Sequence, residues 1–257
     1  MSHADLTVLP SLRVTIPQPA IVAAVGSVRG VTDAVASDVT SGDVRPEVWC
    51  IVVAGGSGAR FGRPKQYELL GPRRIIDHSV GVAGVACDGT VVVVPAADVE
   101  IESACFQHVV AGGASRSESV RAGLAAVPAT ATVICVHDAA RPFATPALYE
   151  RAIAAIDAGA DGAIPGVAVT DTIKVVDADG VVRDTPQREA LRAVQTPQAF
   201  RADVLRHAHA AGGEGTDDAA LVEAAGGRVV VVEGDVDNRK ITHPDDLDWA
   251  RARLAAQ

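Results

Sequence analysis

At 257 residues, with 48% hydrophobic and 21% charged side chains, the chain has material for one large or two small domains and is not disordered throughout. The formal net charge of −9 disfavours nonspecific nucleic-acid binding, which needs a broad basic surface, yet leaves room for an anionic ligand held by local cations. No apolar run reaches the ~20 residues of a membrane span, and the early stretch Ala20 to Val25 is short and lacks the basic leader of a secretory signal.

Residues 1–46 stand apart, with prolines at 10, 17, 19 and 46 and no glycine loop or catalytic cluster, and read as a partly flexible N-terminal extension. A start codon placed too early is the alternative. From Glu47 to residue 257 an apolar strand, a loop and a helix recur. The strand-like runs are Val48–Val53, Thr90–Val94, His108–Val110, Thr132–Val136, Gly162–Val169 and Arg228–Val232. Helical stretches lie between them at Ile75–Val85, Ser115–Ala126, Pro146–Ala158, Ala202–Ala211 and Asp217–Ala225, with Ser115 suited to an N-cap and Pro146 and Pro244 to first turns. Continuous Val/Ile strands alternating with helices predict an α/β fold whose mostly parallel sheet is covered on both faces, with ligands bound beyond the strands' carboxyl ends. About residues 170–190 the pattern changes. Ile173–Val176 and Val181-Val182 flank the turn Asp177-Ala178-Asp179-Gly180, predicting an exposed β-arm whose apolar face needs a cover.

Cys50, Cys87, Cys105 and Cys135 stand far apart without a C-x-x-C pair, so neither a disulfide framework nor a zinc site is expected, and a reducing cytoplasm fits best. Cys50 and Cys135 fall in strand-like runs, where a free thiol serves as a small hydrophobe.

The most telling segment runs from Val52 to Gln66. An apolar strand stops at Gly55, Gly56, Gly58 and Gly62, interleaved with Arg60, Arg63 and Lys65. Glycines let backbone N–H groups close on phosphate oxygens, and the cations add full charge beside them. The dinucleotide fingerprint fails, because Phe61 occupies the place of its third glycine, and Walker A fails, because Gly62 is followed by Arg-Pro-Lys-Gln. An ordinary surface turn is the bland alternative.

Further motifs follow in order: Gly112-Gly113-x-x-Arg116-x-x-Ser119, His137-Asp138-Ala139-Ala140-Arg141-Pro142, Asp171-Thr172-Ile173-Lys174, Arg188, Thr196-Pro197-Gln198, Thr216-Asp217-Asp218-Ala219 and Asp237-Asn238-Arg239-Lys240. Together with the glycine loop they resemble the sugar- and polyol-phosphate nucleotidyltransferases, and within them the 2-C-methyl-D-erythritol 4-phosphate cytidylyltransferase family of the non-mevalonate isoprenoid pathway. The resemblance covers roughly residues 47–255. It implies a three-layer Rossmann-like sheet with a protruding arm, CTP and a polyol phosphate as substrates, Mg²⁺ or another divalent cation, and a homodimer clasped through the arm.

The resemblance also implies roles. Arg60, Lys65 and Lys240 would stabilise the transition state, with Ala54, Gly55, Gly56, Ser57 and Gly58 giving backbone contacts to the nucleotide. Gly113, Arg116 and Ser119 would frame the cytosine, with Asp138 and Ala139 beside the nucleotide. Arg141, Thr172, Arg188, Thr196 and Lys240 would meet the acceptor, Arg188 across the dimer interface. Asp138, and less securely Asp237, would hold the metal, since hard cations take oxygen ligands. His137 is assigned no chemistry, and Arg63 reads as an ordinary surface cation. Plainer readings stand beside these: a solvated loop lysine for Lys240, a turn cap for Asp138, a surface salt bridge for Arg188. Ala114 departs from an aspartate frequent in relatives, and Gly55 from an alanine. D-ribitol 5-phosphate is the alternative acceptor, and a noncatalytic nucleotide-binding regulator the alternative of another class.

Overall fold

The computed structural model describes residues 45–56 and 58–256; nearly all of the expected extension, as well as Ser57 and Gln257, lies outside them. The chain forms β1 (Val48–Val53), the small hairpin β2 (Leu69–Leu70) and β3 (Arg73–Arg74), α1 (Ile75–Ala86), β4 (Gly89–Val94), a short α2 (Val99–Glu102) and β5 (Val109–Ala111). Then come α3 (Arg116–Ala126), β6 (Val133–Asp138), α4 (Pro146–Asp157), β7 (Gly162–Ala168), the arm strands β8 (Val175–Val176) and β9 (Val182–Asp184), β10 (Arg192–Val194) and β11 (Gln198–Arg201). The remainder is α5 (Ala202–Ala210), α6 (Asp218–Ala224), β12 (Val229–Glu233) and α7 (Pro244–Ala255).

The main sheet runs β5-β4-β1-β6-β11-β7-β10, with β12 on the other side of β7. β5, β4, β1 and β6 are mutually parallel, and β12 runs parallel to β7. β11 is antiparallel to both β6 and β7, and β10 is antiparallel to β7, so the parallel sheet expected from the valine runs carries two reversed strands. Alternation sorts the side chains of β1: Cys50 and Val52 join the apolar layer under α1 and α4, whereas Ile51 joins the layer under α3, α5 and α6. Both layers are dominated by Val, Ala, Leu and Ile, as the scarcity of aromatics requires. Cys50 and Cys135, distant in sequence, are register partners in the first layer; the four thiols are free.

A third apolar cluster matters most for the site. Phe61, Leu70, Ile75, Phe143, Ile241 and Leu247 pack together beneath α7. Phe61 directly follows Arg60 and Ile241 directly follows Lys240, and both are buried. One cluster therefore anchors two cation-bearing loops that are far apart in sequence. Burying a large apolar side chain is worth roughly 1.5–3 kcal/mol, which holds each loop to the body of the domain.

Register completes the arrangement. Val53, the last residue of β1, pairs with Asp138, the last of β6, so the glycine loop and this carboxylate leave adjacent strands at the same edge. The arm behaves as expected of an uncovered ribbon: Asp177 Oδ1 accepts the amides of Asp179 and Val181, while Val175, Val176, Val181 and Val182 are about half exposed.

Candidate active site

At that edge lies a cavity of about 480 Å³ lined by the glycine loop, Arg60, Lys65, Gly113, Arg116, Ser119, Asp138, Ala139 and Lys240. Two glycines are dictated by geometry. Gly58 has φ +68°, and a Cβ there would lie 1.9 Å from the Arg63 carbonyl oxygen; a Cβ on Gly113 would lie 2.3 Å from that of Glu118. Gln66, buried behind the loop, donates to the Gly56 carbonyl at 3.2 Å and ties the glycine loop to the turn that carries Lys65.

Opposite the loop, α3 begins with a capping box in which Ser115 accepts from the Glu118 amide and Glu118 accepts from the Ser115 amide. The expected N-cap is thus observed. The box fixes Arg116 at the first helical position, facing the cavity.

Asp138 is the electrostatic centre. Its Oδ2 accepts from Lys240 Nζ at 2.6 Å and its Oδ1 from Arg116 Nε at 3.2 Å. Burial alone would raise its pKa, but Arg116 and then Lys240 outweigh that and hold it well below the usual carboxylate range. Its backbone amide donates to the Thr196 hydroxyl at 3.0 Å, and that hydroxyl lies 3.0 Å from His137 Nδ1. Burial lowers the His137 pKa to about 4, so the ring is neutral near pH 7. With Nε2 donating to the Arg141 carbonyl, Nδ1 accepts the Thr196 proton. His137 is a structural brace, as the sequence indicated.

Lys65 is half-buried, and its pKa is lowered first by burial and then by repulsion from Lys240 and Arg60. Cations that repel one another across a cavity mark the place where a polyanion belongs.

Most expected site residues converge: Ala54, Gly55, Gly56, Gly58, Arg60, Lys65, Gly113, Ser119, Asp138, Ala139 and Lys240 all line the cavity. Ser57 lies outside the described residues. Five expected site residues, Asp237, Thr196, Arg141, Thr172 and Arg188, do not line the cavity. Asp237 does not line the cavity, and its Oδ2 pairs with Arg253 of α7 at 2.8 Å, so its carboxylate stands apart from Asp138 and is not placed to share a metal with it there. Thr196 is buried with its hydroxyl committed to Asp138 and His137, and braces the carboxylate instead of facing an acceptor. Arg141 is mostly buried and donates to the carbonyls of Asn238 and Val194, although its Nε has no partner among the described residues. Thr172 is exposed, and Arg188, also exposed, donates to the Thr170 carbonyl and pairs with Glu189 at 3.5 Å, away from the cavity. Arg63 pairs with Glu68 at the surface, in line with its reading as an ordinary cation.

Among the described residues no cluster of three or more His, Cys, Asp or Glu side chains is placed to hold a metal. A divalent ion that keeps its waters and rides on a triphosphate needs only one or two protein carboxylates. Among the described residues Asp138 is the one carboxylate that lines this cavity, and it fits that mode but not a protein-built cage.

A glycine loop after β1, cations on three sides and a carboxylate ending β6 define an α/β protein of the nucleotidyltransferase type. The family model described as "IspD: 2-C-methyl-D-erythritol 4-phosphate cytidylyltransferase" matches residues 48–256. This chain belongs to that family. A 2-C-methyl-D-erythritol 4-phosphate cytidylyltransferase from Nocardia farcinica is 46% identical over 217 residues, 80% of this chain and 94% of that protein. A bifunctional enzyme IspD/IspF from Nitrobacter hamburgensis is also 46% identical, over 225 residues, 80% of this chain and 55% of the relative, so the chain spans about half the length of such relatives. The crystal structure of 2-C-methyl-D-erythritol 4-phosphate cytidylyltransferase from Thermus thermophilus matches with a TM-score of 0.69 at 33% identity, covering 80% of this chain and 98% of that one.

Proposed function

We propose that this chain transfers CMP from CTP to 2-C-methyl-D-erythritol 4-phosphate, releasing pyrophosphate and forming 4-diphosphocytidyl-2-C-methyl-D-erythritol. The observation that carries the reading is the convergence of Arg60, Lys65 and Lys240 with the glycine loop on one cavity. A phosphate oxygen of the acceptor attacks the α-phosphorus of CTP. A new P–O bond forms, the bond to the bridging α–β oxygen breaks, and pyrophosphate departs with that electron pair. The nucleophile is already anionic, so no general base is needed; positioning and charge neutralisation carry the catalysis. Arg60 and Lys65 meet the triphosphate from the glycine-loop side and Lys240 meets the α-phosphate from the other. Asp138 would hold a divalent cation, Mg²⁺ by expectation, which on binding neutralises phosphate charge.

The bare apolar arm supports a homodimer, in which Thr172 and Arg188 complete the acceptor site of the other copy. No described helix is long and apolar enough to cross a membrane, and a cytoplasmic site of action belongs to the same proposal.

Turnover of CTP with each of two polyol phosphates tests the assignment. Pyrophosphate release with 2-C-methyl-D-erythritol 4-phosphate, and little with D-ribitol 5-phosphate, is expected. Release with the ribitol compound alone contradicts the acceptor, and release with neither contradicts catalysis.

A further inference from the structure

The motif Thr216-Asp217-Asp218-Ala219 has no part in the chemistry above. Asp217 is accounted for locally: it caps α6 by accepting from the Ala220 amide and also accepts from Gln198 at 2.8 Å. Asp218 is different. It is 1% exposed, and its Oδ2 accepts from Arg116 Nη1 at 2.8 Å, 102 residues away in sequence. Its Oδ1 lies 3.1 Å from Nε2 of His209, which is 2% exposed. Arg116 in turn reaches Asp138 with Nε. A line of contacts therefore runs from the buried side of α5 and α6 through one guanidinium to the carboxylate of the cavity.

We infer that Asp218 is a positioning residue for nucleotide binding, clamping Arg116 so that it holds only one oxygen of Asp138. The inference rests on the functional reading above and deepens it. A carboxylate this deeply buried needs its cationic partner, because an unpaired charge away from water is costly. Arg116 is thus kept on Asp218 and cannot turn its fork onto both Asp138 oxygens, the geometry that a guanidinium otherwise prefers with a carboxylate. The other oxygen is left to Lys240, whose side chain is 37% exposed and, among the described residues, has no second carboxylate to clamp it. The two cations on Asp138 are therefore not equivalent. Arg116 is fixed, and Lys240 is free to move to an arriving phosphate. The clamp preorganises the cavity before CTP enters it.

D218N tests the clamp, because the amide keeps the size of the side chain and an acceptor for Arg116 while removing the charge. Calorimetric titration of the full chain with CTP is expected to show affinity about tenfold weaker, with KM for the acceptor unchanged. In the R116K background the same change is expected to add nothing, since the clamped fork is already gone. CTP affinity equal to wild type, or a full additional loss in R116K, overturns the inference even if D218N melts earlier. Should D218N not fold, H209Q loosens the same carboxylate from behind without touching the cavity. Weaker CTP binding by folded H209Q supports the clamp, and unchanged binding contradicts it. Failure of the wild-type chain to bind CTP would instead contradict the functional reading itself.

Discussion

Replacing Lys65 with alanine is expected to lower turnover by more than tenfold while leaving the thermal midpoint unchanged or slightly raised. The two outcomes have one cause. In the cavity Lys65 is half-buried, and burial first, then repulsion from Lys240 and Arg60, lowers its pKa from the ordinary 10.5. Removing it relieves that repulsion, so the fold loses nothing. With a triphosphate bound, the same charge faces phosphate oxygens in a water-poor site. Loss of one preorganised donor to a developing anion typically costs about 2.7–4 kcal/mol. The sign of the pKa shift gives a companion observation. Because its surroundings disfavour the charged form and a bound polyanion favours it, K65A is also expected to reduce proton uptake on CTP binding at alkaline pH. Calorimetry in buffers of different ionisation enthalpy, beside steady-state kinetics and a melting curve, checks all three. Near-normal turnover would remove Lys65 from the mechanism, and a large drop in melting temperature would make it a structural residue.

Asp138 is expected to behave in the opposite way. D138N should lose both activity, by about a hundredfold or more, and stability, by about 2–4 kcal/mol. The Asp138 side chain is 12% exposed and partners Arg116 and Lys240, so loss of its charge leaves two cations facing each other without a counter-charge. The figure lies toward the low end for a buried pair because Lys240 is partly solvated. The sign of the linkage is clear. A carboxylate whose folded pKa lies below its unfolded value contributes stability above the unfolded pKa, and that contribution is lost as pH falls through the folded one. Urea unfolding at pH 7 should therefore separate D138N from the wild-type chain, and the separation should narrow as the pH is taken well below 3.8. Equal stability at pH 7 would contradict the ion-pair geometry. Retained turnover would mean that Asp138 is only a cap for the turn that follows β6.

The contrast between these residues shows what a sequence can carry. The valine runs of β1, β4 and β6 announce themselves, because continuous β-branched residues suit a sheet covered on both faces. Strand boundaries then place Asp138 at the ligand edge, and the order of motifs places Arg60, Lys65 and Lys240 with it. β10 and β11 were not legible. Arg192–Val194 and Gln198–Arg201 are three and four residues long, and nothing so short signals direction. Side-chain aim was not legible either. Asp237 stands three residues before Lys240 in one motif, yet a residue of the terminal helix, Arg253, draws its carboxylate away. Thr196 turns inward because the Asp138 amide and His137 need its hydroxyl. Asp218 could be noticed as one of two adjacent acids, but its tie to Arg116 spans 102 residues and exists only once α3 and α6 share a face of the sheet.

The account stands most directly on where cytidine triphosphate lodges. A crystal of the full chain grown with CTP and Mg²⁺ is expected to show the triphosphate cradled by the glycine loop after β1, its α-phosphorus between Lys65 and Lys240 and its base toward Gly113 and Ser119. Nucleotide bound elsewhere, with those side chains undisturbed, would contradict it.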